Sequence, residues 1–227
     1  QKEALGRFDF YFNGYQKRQY PSHLLFNMAT GSGKTLIMAA NILRLYQMGY
    51  RNFIFFVNSV NIIKKTRANF IWEEAVGTGA EDKYLFAPKI KFADKEVFIK
   101  EVQNFAAANQ ENINILFTTI QGLHIRLNYP KENALTYEDF IDKNIALISD
   151  EAHHLQTITK ESRQELALEK SWEFTVGKVL KSNQQNILLE FTATIDLANP
   201  NIKQKYEDKI IFQYDLKQFR LDKYSKE

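Results

Sequence analysis

Five residues near the start of the chain, Gly31-Ser32-Gly33-Lys34-Thr35, have the types and order that grip a chain of phosphates. Glycines at 31 and 33 let the backbone turn tightly and bring N–H groups against phosphate oxygens. Lys34 can reach the β- and γ-phosphates, and the Thr35 hydroxyl can ligate Mg²⁺. Far downstream, Asp150 and Glu151 stand side by side. Next to such a cradle, adjacent carboxylates divide the work. Asp150 can hold the metal, often through water, and Glu151 can orient and deprotonate an attacking water. A third group, Thr192 and Thr194, offers small hydroxyls that could hydrogen-bond to the acidic turn and sense what the phosphates are doing.

These residues need elements that bring them together. HLLFNM (His23–Met28) reads as a strand, and the run from Leu36 to Tyr46 reads as a helix. Strand, glycine loop and helix is the order a phosphate cradle requires, with the helix's positive end facing the anion. Met28 stands where the strict pattern has glycine, so the match is relaxed. IALIS (Ile145–Ser149) is a second apolar strand, with Asp150 and Glu151 at its carboxyl end. LLEFT leads in the same way to Thr192, Ala193 and Thr194. Each set alone has a plainer reading. The glycines could form an ordinary turn, the acids a solvated turn, and the threonines β-formers or helix caps. The three in sequence reverse those odds.

Strand-like runs alternate with helical patterns along the whole chain, which predicts an α/β fold: a mostly parallel sheet with helices on both faces. The strands are read at His23–Met28, Asn52–Val57, Ile113–Thr118, Ile145–Ser149 and Ile187–Thr192, with weaker ones at Lys89–Phe92, Val97–Ile99 and Ile210–Tyr214. Helices are read at Gln1–Tyr11, from the glycine loop to a stop at Gly49, at Asn61–Trp72 and at Glu161–Lys181, where Trp172, Val176 and Leu180 share a face. Gly77–Lys83 and Gln156–Arg163 read as loops. The second is a solvated connector or a flexible segment beside the acidic turn. No boundary divides the chain, so residues 1–227 read as one domain.

Composition narrows the class. Hydrophobic residues make up 44% and aromatics 14%, enough for a packed core and too much for a disordered tail. The net charge of +3 permits a nucleic-acid partner without requiring one. Cysteine is absent, which removes disulfides and cysteine-based zinc sites and fits a cytoplasmic, reducing setting. The adjacent His153 and His154 point opposite ways in an extended chain and chelate poorly, so zinc is rejected. His153 could bridge the γ-phosphate region to a neighbouring element, and His154 reads equally well as a structural histidine. No apolar run approaches the roughly 20 residues that span a bilayer. The chain begins with Gln1 and reads as part of a longer protein.

MATGSGKT, DEAH and FTAT, in this order, resemble motifs I, II and III of the first motor lobe of superfamily 2 helicases and translocases. FNMATGSGKT, DEAHHL, EKSWEFTV, LLEFTATID and FQYDLKQFRLDKYSKE together resemble the Res subunit of type III restriction enzymes over nearly the whole chain. The resemblance implies a RecA-like P-loop fold with the FTAT strand between the P-loop and DEAH strands. It also implies ATP and Mg²⁺ as cofactors, with hydrolysis coupled to movement along double-stranded DNA. Gly31, Ser32, Gly33, Lys34 and Thr35 inherit phosphate and metal contacts, Asp150 and Glu151 metal and water activation. His153, Thr192 and Thr194 inherit the coupling role. Gln1 falls at the end of a Q-like motif, where a glutamine reads adenine.

Nucleic-acid contacts fall, on the same resemblance, at VNSVNIIKK and TTIQGLH. Ser59, Asn61, Thr118 and Thr119 could bind backbone phosphates, helped by helix N-termini and by Lys64, Lys65 and Arg67. Ser59, Thr118 and Thr119 fit equally well as helix caps, and the charges as a solvated face. Such motors close two lobes around ATP, and the stretch after Thr194 is too short for a second. No nuclease signature is visible either. The expected whole therefore adds a second RecA-like lobe, a nuclease domain and a modification (methyltransferase) subunit, and this chain alone should be nearly inactive. The alternatives are a type I restriction motor, an RNA helicase or a nucleotide-binding module that does not hydrolyse. A small-molecule kinase ranks last.

Overall fold

Asn52–Val57, NFIFFV, is buried at every position, so this strand is covered on both faces. The computed structural model describes residues 1–71, 85–87, 89–92, 94–129, 135–150 and 163–222, with the backbone alone over 163–169. Nine strands lie within them: β1 (Ser22–Met28), β2 (Asn52–Val57), β3 (Ile90–Phe92), β4 (Lys95–Val97), β5 (Ile99–Glu101), β6 (Ile113–Thr119), β7 (Ile145–Ser149), β8 (Ile187–Thr192) and β9 (Ile210–Tyr214). Seven form one sheet in the order β5-β6-β2-β7-β8-β1-β9. Every neighbouring pair in it is parallel. This is the α/β, RecA-like arrangement the resemblance implied, with β8 between β7 and β1.

The period-2 alternation of β2 divides the core. Phe53, Phe55 and Val57 enter a cluster with α1 (Lys2–Asn13), α2 (Lys34–Gln47) and α3 (Val60–Phe70), through Phe8, Ile37, Ile42 and Phe70. Ile54 and Phe56 enter the opposite cluster with α4 (Ile120–Asn128) and α5 (Arg163–Lys181), through Leu123, Leu127 and Val179. Each such fully buried side chain contributes roughly 1.5–3 kcal/mol of transfer free energy. Two short helices, α6 (Pro200–Tyr206) and α7 (Leu216–Leu221), flank β9 in sequence. α2 ends in a Schellman motif. Gly49 lies at φ +99°, its N–H reaches the Tyr46 carbonyl, and Tyr50 N–H reaches that of Leu45.

Several elements depart from the sequence reading. Val97–Ile99 is not one strand. The chain breaks at Phe98, and its two halves join different sheets: β4 pairs antiparallel with β3, while β5 becomes the outermost strand of the main sheet. A short run with apolar residues at both ends carries no mark of that switch. Helix α3 starts at Val60 and ends at Phe70, short of Trp72, which lies outside the described residues. α1 runs two residues past Tyr11. α5 is described from Arg163, and Gly77–Lys83 and 156–162 lie outside the described residues. α6 and α7 were not read from sequence. They are too short for a helical period to show. No helix among the described residues is long and apolar enough to cross a membrane.

Candidate functional site

β1 delivers the chain to the glycine loop at its carboxyl end. Gly31 and Gly33 both take positive φ, +83° and +96°, which side-chain-bearing residues rarely adopt. Gly33 is the N-cap of α2, and no side chain caps that helix start. The loop is braced from within. Ser32 N–H and Ser32 Oγ both donate to the Ala29 carbonyl, at 3.1 and 2.7 Å. Lys34 Nζ donates to the Met28 carbonyl at 3.1 Å, which holds the ammonium over the loop. Thr35, half-buried, is the second residue of α2.

Because all seven strands run parallel, their carboxyl ends share one end of the sheet, where open α/β sheets bind ligands. Asp150 follows β7, Thr192 closes β8, and the glycine loop follows β1. β8 alone separates the other two, so loop and Asp150 emerge about two strand spacings, roughly 10 Å, apart. Thr192 pairs in register with Asn27 of β1. It is fully buried, and its hydroxyl donates to the Thr194 carbonyl at 2.7 Å. Thr194 is exposed at the sheet's end. Glu151, His153 and His154 lie outside the described residues.

Hard oxygen donors at Thr35 and Asp150 suit Mg²⁺, which prefers one or two protein ligands plus phosphate and water. Among the described residues no group of three or more His, Asp and Glu could cage a metal alone.

Beside the glycine loop lies a cavity of about 650 Å³, lined by Gln1, Gly31, Ser32, Phe212, Tyr214 and Phe219 among others. The size is that of a small-ligand pocket. α1 packs against α2 and β9 and so carries Gln1 to its rim. Gln1 Nε2 donates to the Ser32 carbonyl at 3.4 Å. A Cβ on Gly33 would sit 2.3 Å from that nitrogen, so a side chain at 33 would displace the Gln1 amide from this position. The sequence reading had Gln1 but not Phe212, Tyr214 or Phe219. Another hollow, about 800 Å³, lies along α5. Its lining comes from α5, Ser182 and the turn around Tyr137 and Ile141, with nothing from the strand ends.

The candidates for nucleic acid are differently placed. Ser59 is the N-cap of α3 without a side-chain cap bond, and Asn61 is exposed on the first turn. Lys64 and Lys65 are exposed, whereas Arg67 pairs with Glu101 of β5 at 2.6 Å. Thr119 caps α4, accepting from Gly122 N–H at 2.9 Å. Thr118 is buried and donates to the Thr119 carbonyl.

Sequence reasoning also missed a buried histidine–carboxylate pair between β1 and β8. Glu190 of β8 meets His23 Nε2 of β1 at 2.5 Å, with Glu190 only 2% exposed. Tyr206 of α6 donates to the other carboxylate oxygen at 3.5 Å. The one available signal was a charge inside the apolar run ILLEFT. Burial pushes the Glu190 carboxyl up. The attraction and hydrogen bond of His23, with help from Lys205 and Tyr206, outweigh this and hold it below the ordinary 4.5. The depressed folded value means its stabilisation is complete above pH 4.5 and is lost as pH falls through that lower value. His23→Ala, which strands the carboxylate, is expected to cost about 3–5 kcal/mol in urea unfolding at neutral pH. In Glu190→Gln the acid-side decline should flatten. An unfolding curve for His23→Ala matching the parent's would show that the pair stabilises nothing.

Comparison with known proteins gives the following. The family model described as "Type III restriction enzyme, res subunit" matches residues 1–197. The "Probable type III restriction-modification enzyme HindVIP Res subunit" of Haemophilus influenzae is 42% identical over 226 residues, covering 91% of this chain and 42% of that protein. The chain thus spans less than half the length of this relative. Among solved structures, the UvsW helicase of bacteriophage T4 aligns with a TM-score of 0.45 at 16% identity, covering 92% of this chain and 58% of that one. The C-terminal domain of a possible DNA helicase from Lactobacillus plantarum aligns with a TM-score of 0.38 at 5% identity, covering 94% and 96%.

Proposed function

Since the chain belongs to the family of type III restriction enzyme res subunits, we propose that it is the ATP-binding motor lobe of a DNA translocase, the restriction subunit of a type III restriction-modification system. The observation that carries this reading is the meeting of a positive-φ glycine loop, Lys34, Asp150 and Thr192–Thr194 at the carboxyl ends of three neighbouring strands, β1, β7 and β8.

Bound Mg·ATP would supply a polarised γ-phosphorus with an in-line leaving group. Gly31 and Gly33 would offer backbone N–H groups to the phosphates, joined by Ser32 once its N–H leaves the Ala29 carbonyl, and the start of α2 adds its positive end. Lys34 would neutralise charge at the β- and γ-oxygens, while Thr35 and Asp150 would hold the metal. Glu151 receives a proton from the attacking water and fixes its direction. Gln1 presents an amide to the adenine edge. His153, Thr192 and Thr194 couple the state of the phosphates to a second lobe. Ser59 and Asn61 take sugar–phosphate contacts, which carry no base preference, whereas the buried Thr118 and the α4 cap Thr119 shape the end of β6 beside them. Differential grip on duplex DNA between the open and closed states then moves the protein. The proposed setting is cytoplasmic, with a second RecA-like lobe and a nuclease domain in the longer protein and a methyltransferase subunit as partner.

The test is Glu151→Gln in that longer protein. ATP affinity should stay within about twofold while hydrolysis drops about 10²–10⁴-fold. A module that only senses nucleotide would be indifferent to the change, and that result would sink the motor reading. Stimulation of hydrolysis by duplex RNA instead of duplex DNA would move the proposal to an RNA helicase.

A further inference from the structure

Resting on the nucleotide reading above, the geometry points to an aromatic wall for the nucleotide base, built by Tyr214 and Phe219. β9 and α7, which carry them, occupy 210–221. β9 pairs with β1 so that Tyr214 lies in register with Met28, the residue before the glycine loop, and Ala29 N–H donates to the Tyr214 carbonyl at 2.9 Å. The chain then turns into α7, which brings Phe219 back over the loop. Phe219 Cζ lies 3.7 Å from where a Cβ on Gly31 would stand.

The wall is held in place before any ligand arrives. The Tyr214 and Phe219 rings meet edge to face, 6.1 Å between centroids and 86° between planes. The Tyr214 hydroxyl donates to Asp222 at 2.7 Å, which fixes the outer end of the ring. Gln218 Nε2 donates to the other Asp222 oxygen at 2.8 Å, and Asp215 caps α7 through Gln218 N–H. The Gln1 amide lines the same cavity. A flat group with apolar faces and a polar edge, joined to a phosphate chain, matches an aromatic wall and an amide beside a glycine loop. That is a purine nucleotide. Stacking on the wall is indifferent to which purine is bound.

The test compares Mg·ATP with Mg·tripolyphosphate by calorimetry on the 227-residue chain and its Phe219→Ala and Phe219→Trp variants. Phe219→Ala should weaken ATP at least about fivefold, the low end for loss of one base–aromatic stack. Tripolyphosphate should stay within about twofold. Phe219→Trp should restore ATP affinity, and its added emission should be quenched by ATP but not by tripolyphosphate. An unchanged ATP affinity in Phe219→Ala overturns the wall. So does an equal loss for both ligands, which would make Phe219 a brace for the loop only. If the parent chain binds neither ligand, the nucleotide reading falls and takes the wall with it. If the parent binds both equally, the wall falls while the phosphate site stands.

Discussion

Replacing Lys34 with Ala is expected to weaken Mg·ATP binding by at least about thirtyfold and to leave adenosine binding unchanged. Removing one partner of a desolvated charge pair costs about 2–5 kcal/mol, and the lower figure is already a thirtyfold loss. The Lys34 ammonium is pinned to the Met28 carbonyl at the mouth of the loop, so it adds charge without first being ordered. Little stability should go with it. Lys34 is half-buried, and the core face of α2 is carried by Ile37, Met38, Ile42 and Leu45. Thermal unfolding separates the two effects. A variant that melts with the parent but no longer titrates with ATP supports the phosphate role, whereas one that still binds ATP at the parent's affinity removes it.

ATP hydrolysis by the 227-residue chain alone is expected to run about 10³–10⁵-fold below that of the longer protein, with no stimulation by duplex DNA. That range is what arginine fingers supplied from another body are worth in related phosphoryl transfers. The site described here assembles the phosphate cradle and the proposed metal ligands from one side only. A phosphoryl group in flight spreads charge over three equatorial oxygens, and neutralising it from one side leaves most of the barrier. Mixing the chain with a separately produced second lobe should restore part of the rate. Robust DNA-stimulated turnover by these residues alone would mean that the lobe is self-sufficient, and the two-lobe mechanism would have to be abandoned.

How much of this was legible depends on what each signal rests on. β2, β7 and β8 lie at the residues their runs marked, because a strand buried on both faces is a nearly continuous apolar word, and the edge strand β9, only partly buried, also lies where its shorter run marked it. The glycine loop was legible because its backbone demands glycine at 31 and 33, and the positive φ angles bear that out. The place of β8 between β7 and β1 came from resemblance alone. Strand order depends on crossovers, which no local pattern encodes. The break at Phe98 was invisible for a related reason: two three-residue strands differ only in which sheet they join. The His23–Glu190 pair and the Tyr214–Phe219 wall are long-range meetings. His23 and Glu190 each looked like ordinary members of their own strands until the sheet set them side by side.

The cavity beside the glycine loop joins Gln1, just before α1, to Phe219 of α7, with the glycine loop between them. Such a cavity is among the final things a growing chain can complete. A polypeptide leaving the ribosome folds from its amino end, and the glycine loop and α2 emerge early, but the pocket stays open on one side until residue 219 is clear of the tunnel. Closing so long a span of chain is slow in its own right. The proposed base contact is therefore completed only after the whole sheet has formed, later than the phosphate loop it adjoins.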